Sequence, residues 1–407
     1  MKYLLQHTLS VTVTSLGILF GFAKTAFAKV YHCTINGQFT TRLSFVFISG
    51  ISLLLVVGCT SYRTAGLIVN AESNDVIVFD PPSSTILGSV ALTTDSNPKV
   101  RPATISRNGS VGFVADGNLI YLIDMKADPP TLLEGATNPI TLNIQSIIDL
   151  VAVPNRLFLL AAGDDFISVF TTLEPWAIHT FDPGNSIIRS IDACDNGTTV
   201  LVGMSGLDNV VKKLFVDENG ILSDSGESVS TPKSITNVYC APGSEVGVMV
   251  TGGMDADVQS FTLSNMGAVD RLELTAASML EDPDDPISTI MPFGVSGQFS
   301  MDGTRFFARS TGGSPRRGYV DRFVINPDTG AMRALEPILL HEREETWSWM
   351  VGGDYLALVE EADEILIPDP EANEILIFSA STGQRRVELT SEYFDRPTTI
   401  VVVEPPE

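Results

Sequence analysis

The sequence predicts an all-β fold in which seven four-stranded blades close into a ring. Three observations indicate it: a turn phrase recurs along the 407 residues, short apolar strands follow each turn, and the two chain ends supply complementary parts of one blade. Four short strands per period of about 40–50 residues are typical of β-propellers. We expect an apolar leader over residues 1–58, a linker over 59–65 and a seven-bladed β-propeller over 66–407.

The turn phrase closes the inner strand of each unit. It ends in Gly or Asn, which tolerate positive φ, and occupies residues 105–109, 151–155, 193–197, 239–243, 299–303 and 349–353. Two more apolar strands follow each phrase, as at 110–115 and 119–124. In the last unit the same rule predicts strands at 355–359 and 374–378, with residues 360–373 as a long loop between them.

The chain ends predict how the ring closes. Residues 66–71 and 76–80 read as the second and third strands of a blade whose first strand is missing. The C-terminal segment 397–403 parallels the opening strand at 102–105. We therefore expect the C-terminal strand to pair with the N-terminal strands, which also hides an exposed strand edge.

The repeat resembles the bacterial YVTN-type propeller repeat, in which the third strand ends in Asp. Residues 76–80 and 121–124 fit that strand, and 324–330 and 379–383 fit the turn after it. Lactonase-like propellers and the heavy chains of amine dehydrogenases look similar at this level. The resemblance covers about residues 66–403 and rests on structural motifs, so it carries over no catalytic residue of those families.

The leader holds two apolar stretches that compete as targeting signals. The first, at 11–23, precedes Ala28 in an Ala-Phe-Ala sequence typical of signal-peptidase sites. The second, at 43–58, ends in Val-Val-Gly before Cys59 and resembles a lipobox, whose Cys becomes lipidated. We favour the second, because cleavage after Ala28 leaves the apolar run 44–57 unexplained.

The alternative for Cys59 is an ordinary thiol at the end of a membrane-spanning anchor of about 17 apolar residues, which is only just long enough. Both interpretations predict an exported protein held at a membrane. Thr60 and Ser61 carry no acidic retention signal. The lipobox resemblance therefore implies a lipoprotein of the outer membrane and periplasm or of the cell surface.

The charge is strongly acidic. Four of the 25 basic residues and none of the 49 acidic residues precede Cys59, so the remainder carries a formal charge of −28. Such a surface repels nucleic acid, which we exclude as a partner. Solubility outside the cell explains the charge, and binding of divalent cations or cationic partners is the alternative.

Two further sequence features concern cysteine and metal chemistry. Cys194 and Cys240 occupy the same phrase in adjacent blades, so the two interpretations are a pair of buried small side chains and a disulfide, which export would permit. The chain beyond Cys59 has only His179 and His341, so no catalytic triad and no metal site are predicted. Asp-rich segments could offer oxygens to Ca²⁺ but lack the familiar calcium-loop spacing, so no cofactor is predicted.

Blade topology predicts where a binding site would lie. We call upper the face with the loops between strands two and three and the connections between blades, and lower the opposite face. Long loops of unusual composition should share the upper face, at residues 281–286, 312–318, 341–345 and 360–373. They reflect either neutral variation in tolerant loops or a binding surface around the rim. The candidate binding residues are Arg316, Arg317, His341, Trp347, Trp349, Asp363 and Glu364.

The sequence predicts a membrane-tethered propeller lipoprotein that acts as a binding or assembly platform for protein or glycan partners at the cell envelope. The alternative is a periplasmic enzyme or sensor that binds a small molecule at the channel mouth. The scarcity of His disfavours an enzyme.

Overall fold

The computed structural model describes the backbone of residues 42–48 and 52–58, and residues 64–93, 101–134, 137–144, 146–171, 177–184, 186–253, 255–278, 293–312, 317–341 and 356–404. The chain divides into two compact units, Met1–Tyr62 with Pro406–Glu407, and Arg63–Pro405. In the first unit, β1 (Arg42–Ile48) pairs antiparallel with β2 (Ser52–Gly58). No helix among the described residues is long and apolar enough to cross a membrane.

The ring closure predicted from the chain ends is confirmed in the first blade. Its outer three strands are β3 (Ala65–Asn70), β4 (Asp75–Asp80) and β5 (Thr85–Ala91). The C-terminal strand β32 (Pro397–Val403) pairs antiparallel with β3 as the inner strand, with Ala65 opposite Val403. The first and last strands of the second unit therefore join in one sheet.

The next three blades follow in chain order, each as an antiparallel sheet with its first strand innermost. The second blade contains β6 (Ala103–Ile105), β7 (Val111–Asp116), β8 (Leu119–Asp124), β9 (Thr131–Leu132) and β10 (Ile140–Thr141). The third contains β11 (Asp149–Ala152), β12 (Phe158–Ala162), β13 (Ile167–Thr171) and β14 (Ala177–Phe181). The fourth contains β15 (Ile187–Ala193), β16 (Thr199–Ser205), β17 (Val210–Val216) and β18 (Leu222–Ser230).

The fifth and sixth blades are linked by a single pairing of Gly252 with Phe293. The fifth contains β19 (Ser234–Cys240), β20 (Val246–Gly252), β21 (Asp257–Thr262) and β22 (Ala268–Glu273), and a short helix α1 (Thr275–Ser278) follows it. The sixth contains β23 (Phe293–Phe299), β24 (Arg305–Gly312), β25 (Arg317–Ile325), β26 (Met332–Ala334) and β27 (Ile338–Leu339). The seventh contains β28 (Ala357–Val359), β29 (Glu364–Asp369), β30 (Glu374–Ser379) and β31 (Leu389–Thr390).

The core lies between neighbouring blades, because both faces of each blade are covered. Val69 and Val78 of the first blade pack in one buried cluster with Val114 and Ile123 of the second. Strands buried on both faces are continuous apolar runs instead of alternating ones. All six residues of β3 are buried for this reason.

The predicted loop over residues 360–373 is wrong, because β29 runs through its middle. Ile365, Leu366 and Ile367 on this strand are at most 1% exposed. The inner strand of the seventh blade is β28, and the turn after it ends at Asp363, whose φ of 53° does what Gly does in other blades. Residues 349–353, which resemble the turn phrase, lie outside the described residues.

Candidate functional site: a cavity in the central channel

Two of the sequence-predicted binding residues lie at the same end of the sixth blade. Arg317 begins β25, and His341 follows β27, which pairs with β25 through Tyr319 and Leu339. The backbone N–H of Leu340 also donates to the carbonyl of Gly318 at 3.0 Å. The strand directions place this end on the upper face, as the topology predicts.

Asp363 and Glu364 lie at the lower end of the seventh blade, so the expectation of a shared upper rim is wrong for them. They bracket the start of the second strand and both contact Arg386, whose Nη1 donates to Glu364 Oε1 at 2.8 Å. Asp363 also accepts hydrogen bonds from the Ser379 hydroxyl and the Ser381 backbone N–H. Through these hydrogen bonds Asp363 connects its own turn to the turn that follows β30, and both turns lie on the lower face. Arg316, Trp347, Trp349 and Cys59 lie outside the described residues.

A disulfide joins Cys194 and Cys240, with their Cα atoms 5.1 Å apart. The two positions differ by one residue in register. The N–H of Cys194 bonds across the turn to Thr199, whereas in the next blade Ala241 makes that bond, so Cys240 is the last residue of its strand. The disulfide connects the inner strands of the fourth and fifth blades beside the central channel.

The central channel contains a cavity of about 270 Å³. Residues from the inner strands of five consecutive blades line it, which places it on the ring axis. Its polar lining comprises Thr104, Asp149, Ser190, Asp192, Asp195, Asn237, Tyr239 and Gln298. None of these residues belongs to the upper-face loops that the sequence singles out.

Asp149 and Asp192 tie adjacent inner strands together. Asp149 accepts hydrogen bonds from the N–H of Leu150 at 2.8 Å and of Ile191, in the next blade, at 2.9 Å. Asp192 repeats the pattern, with 2.8 Å to the N–H of Ala193 and 2.7 Å to that of Cys240. The described inner strands of neighbouring blades share no ladder, so these carboxyl groups satisfy backbone donors that would otherwise be unpaired.

Burial disfavours the charged form of both carboxyl groups. Removal from bulk water raises the pKa of Asp149 to about 6 and that of Asp192 to about 7, although their backbone hydrogen bonds act in the opposite direction. The nearby charge of Asp149 raises the pKa of Asp192 further. Many protein atoms surround both side chains, but each keeps some accessible surface because it borders the cavity.

Other polar groups of the cavity have unused hydrogen-bonding capacity. The hydroxyl of Thr104 and the amide of Gln298 are half-buried and make no hydrogen bond to any described residue. At the lower end, Arg107 Nη1 donates to Asp195 Oδ1 at 3.3 Å and joins turns of the second and fourth blades. Asp195 also lines the cavity but is paired with Arg107, so the cavity offers the carboxyl groups of Asp149 and Asp192, a hydroxyl and an amide to a small polar molecule.

Within the described ranges, no three His, Cys, Asp or Glu side chains come close enough to hold a metal ion. The carboxyl groups of Asp149 and Asp192 suit the ammonium groups of an organic cation, which they can bind through charge-assisted hydrogen bonds. The sequence signal for this site is an acidic residue with apolar residues on both sides in or at the start of an inner strand, as in Ile191-Asp192-Ala193.

Comparison with known proteins gives a structural likeness only. No protein-family model matches the chain, and no curated protein matches it. A functionally unknown protein from Desulfotomaculum acetoxidans has a TM-score of 0.66 at 15% identity, covering 84% of this chain and 99% of that one. A candidate 6-phosphogluconolactonase from Bacteroides fragilis has 0.63 at 12%, covering 85% and 99%. Citrobacter koseri AztD has 0.56 at 12%, covering 84% and 99%. These likenesses show that the chain has a seven-bladed β-propeller fold.

Proposed function

We propose that the protein is a binding propeller whose channel cavity holds a small organic cation. The observation that carries this proposal is the pair Asp149 and Asp192, which border one cavity of about 270 Å³. Burial removes the water that would stabilise the ionised carboxylates, and the positive charge of a bound ammonium group would stabilise them instead. Thr104 and Gln298 would supply hydrogen bonds to the rest of the molecule.

The chemistry of the cavity favours binding over catalysis. Each carboxyl group is already fixed by two backbone N–H groups, so its position is set before a ligand arrives. The one hydroxyl paired with a lining carboxyl group among the described residues, that of Ser190, is hydrogen-bonded to Asp149 as part of the same fixed arrangement. The formal net charge of −24 would also draw cations towards the protein.

The test is isothermal titration with 1,4-diaminobutane at pH 8, with neutral 1,4-butanediol as the matched ligand control. We expect the diamine to bind and the diol not to bind. Asp149→Asn with Asp192→Asn should weaken the diamine at least tenfold. Binding should also weaken from pH 8 to pH 5, because protons then compete for both carboxyl groups.

The contradicting results are equally specific. Equal affinity of the double variant and the native protein would remove the channel as the site. Asp255→Asn serves as a control for net charge, since this side chain is 75% exposed and does not line the cavity. If that variant weakens binding as much as the double variant does, the effect is long-range charge and the proposal fails.

A second candidate function is an envelope platform for a protein or glycan partner, tethered through Cys59. It is supported by the lipobox resemblance and by the common upper position of Arg317 and His341. Labelling with a radioactive fatty acid should be lost in Cys59→Ser. Cross-linking from membranes should capture a partner that is lost when residues 312–318 are deleted, and an unchanged set of partners would contradict this function.

A further inference from the structure

A second cavity, of about 460 Å³, lies at the outer edge of the ring between the sixth and seventh blades. It shares no lining residue with the channel cavity. Ile338, Leu339 and Phe378 give it apolar walls, and Arg322 forms part of its lining. We call it the outer cleft.

Arg322 is covered by protein but has no carboxylate partner. The residue is 6% exposed. Its Nε donates to the carbonyl of Glu336 at 2.8 Å, and its Nη1 donates to the carbonyls of Ser381 at 3.1 Å and Ala380 at 3.4 Å. No carboxylate among the described residues lies within ion-pair distance of this guanidinium. Loss of hydration lowers the pKa of Arg322, and the more distant charge of Glu336 raises it.

The remaining donor edge of Arg322 is free. Its Nη2 makes no hydrogen bond to a described residue and is not sealed from solvent. The outer strand of the sixth blade is broken between β26 and β27, and the guanidinium occupies that break. Gly383, with a φ of 76°, lets the turn of the seventh blade approach, since a Cβ there would lie 3.2 Å from the guanidinium.

We propose that the outer cleft binds the carboxylate of a small organic acid with an apolar body. The carboxylate accepts hydrogen bonds from Nη2 of Arg322 and supplies its missing counter-charge. The apolar body packs against Ile338, Leu339 and Phe378.

The surrounding charges favour a monoanion over phosphate. Glu336 is exposed at the cleft. Arg385, which also lines it, is paired with Glu388 at 2.7 Å and lies 3.6 Å from Glu374. These carboxylates would therefore repel a doubly charged phosphate more strongly than a singly charged carboxylate.

The test is a titration of the whole protein with benzoate, followed by ligand-observed NMR, with benzyl alcohol as the neutral control and inorganic phosphate as competitor. We expect benzoate to bind, and benzyl alcohol and phosphate to bind at least tenfold more weakly. Arg322→Gln should weaken benzoate at least tenfold. Arg333→Gln removes an exposed charge on the same blade and should change the affinity less than twofold.

A second variant keeps the test decisive if Arg322→Gln does not fold. Leu339→Trp narrows the cleft and keeps Arg322, so it should also abolish benzoate binding. The proposal is overturned if benzoate does not bind the native protein, if Leu339→Trp binds it normally, or if phosphate binds more tightly than benzoate.

Discussion

Replacement of Asp192 by Asn should stabilise the protein at pH 8 and should stabilise it only about a third as much at pH 5. Burial raises the pKa of Asp192 from 3.8 to about 7, so the folded state binds a proton more tightly than the unfolded state. Its contribution to stability is fully present below pH 3.8 and is lost as the pH rises through about 7. Asn is neutral at every pH and keeps one oxygen for the N–H of Cys240.

The magnitude follows from the size of the pKa difference. About three pKa units correspond to about 4 kcal/mol at most. Asp192 borders a water-accessible cavity, so we halve this to about 2 kcal/mol. With an unfolding entropy of roughly 2.1 cal/mol/K per residue over the unit Arg63–Pro405, the melting temperature at pH 8 should rise by about 3 °C.

Calorimetric melting of both proteins at pH 5 and pH 8 measures the difference. At pH 5 the native carboxyl group is largely protonated but the unfolded one, with a pKa of 3.8, is ionised, so about a third of the cost already applies and the variant should melt about 1 °C higher. Equal destabilisation of the variant at both pH values would refute the reasoning. It would mean that the hydrogen bonds of Asp192 outweigh the cost of its charge.

Three further results are expected. Asp257→Asn should cost about 3 kcal/mol of unfolding free energy, because this fully buried carboxylate pairs with Lys233 at 3.1 Å and with a second cation; Asp255→Asn, which is exposed, should cost less than about 1 kcal/mol, and equal costs would contradict the burial argument. Mass spectrometry after alkylation should find Cys194 and Cys240 protected until reduction, and the double Ser variant should lose up to about 4 kcal/mol for a separation of 46 residues; free alkylation of the native protein would contradict the disulfide. Deletion of residues 397–403 should abolish cooperative melting, because it removes the inner strand of the first blade, and an unchanged melting curve would contradict ring closure.

The blade count and the ring closure could be predicted because both depend on local signals. Turn glycines such as Gly109 and Gly303 adopt positive φ, and the apolar strands after them fill the space between blades. The seventh blade could not be placed correctly, because Asp363 takes the glycine position in its inner turn. Its conformation is held by Ser379 and Ser381, which follow one strand later, and no local pattern reports that contact.

The channel cavity was missed because sequence reasoning looked for function in unusual loops. Asp149 and Asp192 stand in strands whose neighbours are apolar, and their meaning depends on which strands line the axis. Of the outer cleft, the sequence indicated only His341, which lines it. Arg322 is one of several arginines in the sequence, and only the break between β26 and β27 leaves its donor edge open.

The central claim is that burial raises the pKa of Asp149 and Asp192 in the channel and that a bound cation lowers it again. Carbon-13 NMR titration of the aspartate carboxyl groups, assigned with the Asp149→Asn and Asp192→Asn variants, measures it directly. The account predicts pKa values near 6 and 7 for the free protein and a fall of about one unit or more with saturating 1,4-diaminobutane. Values below about 4 in the free protein, or values that the diamine does not move, would contradict it.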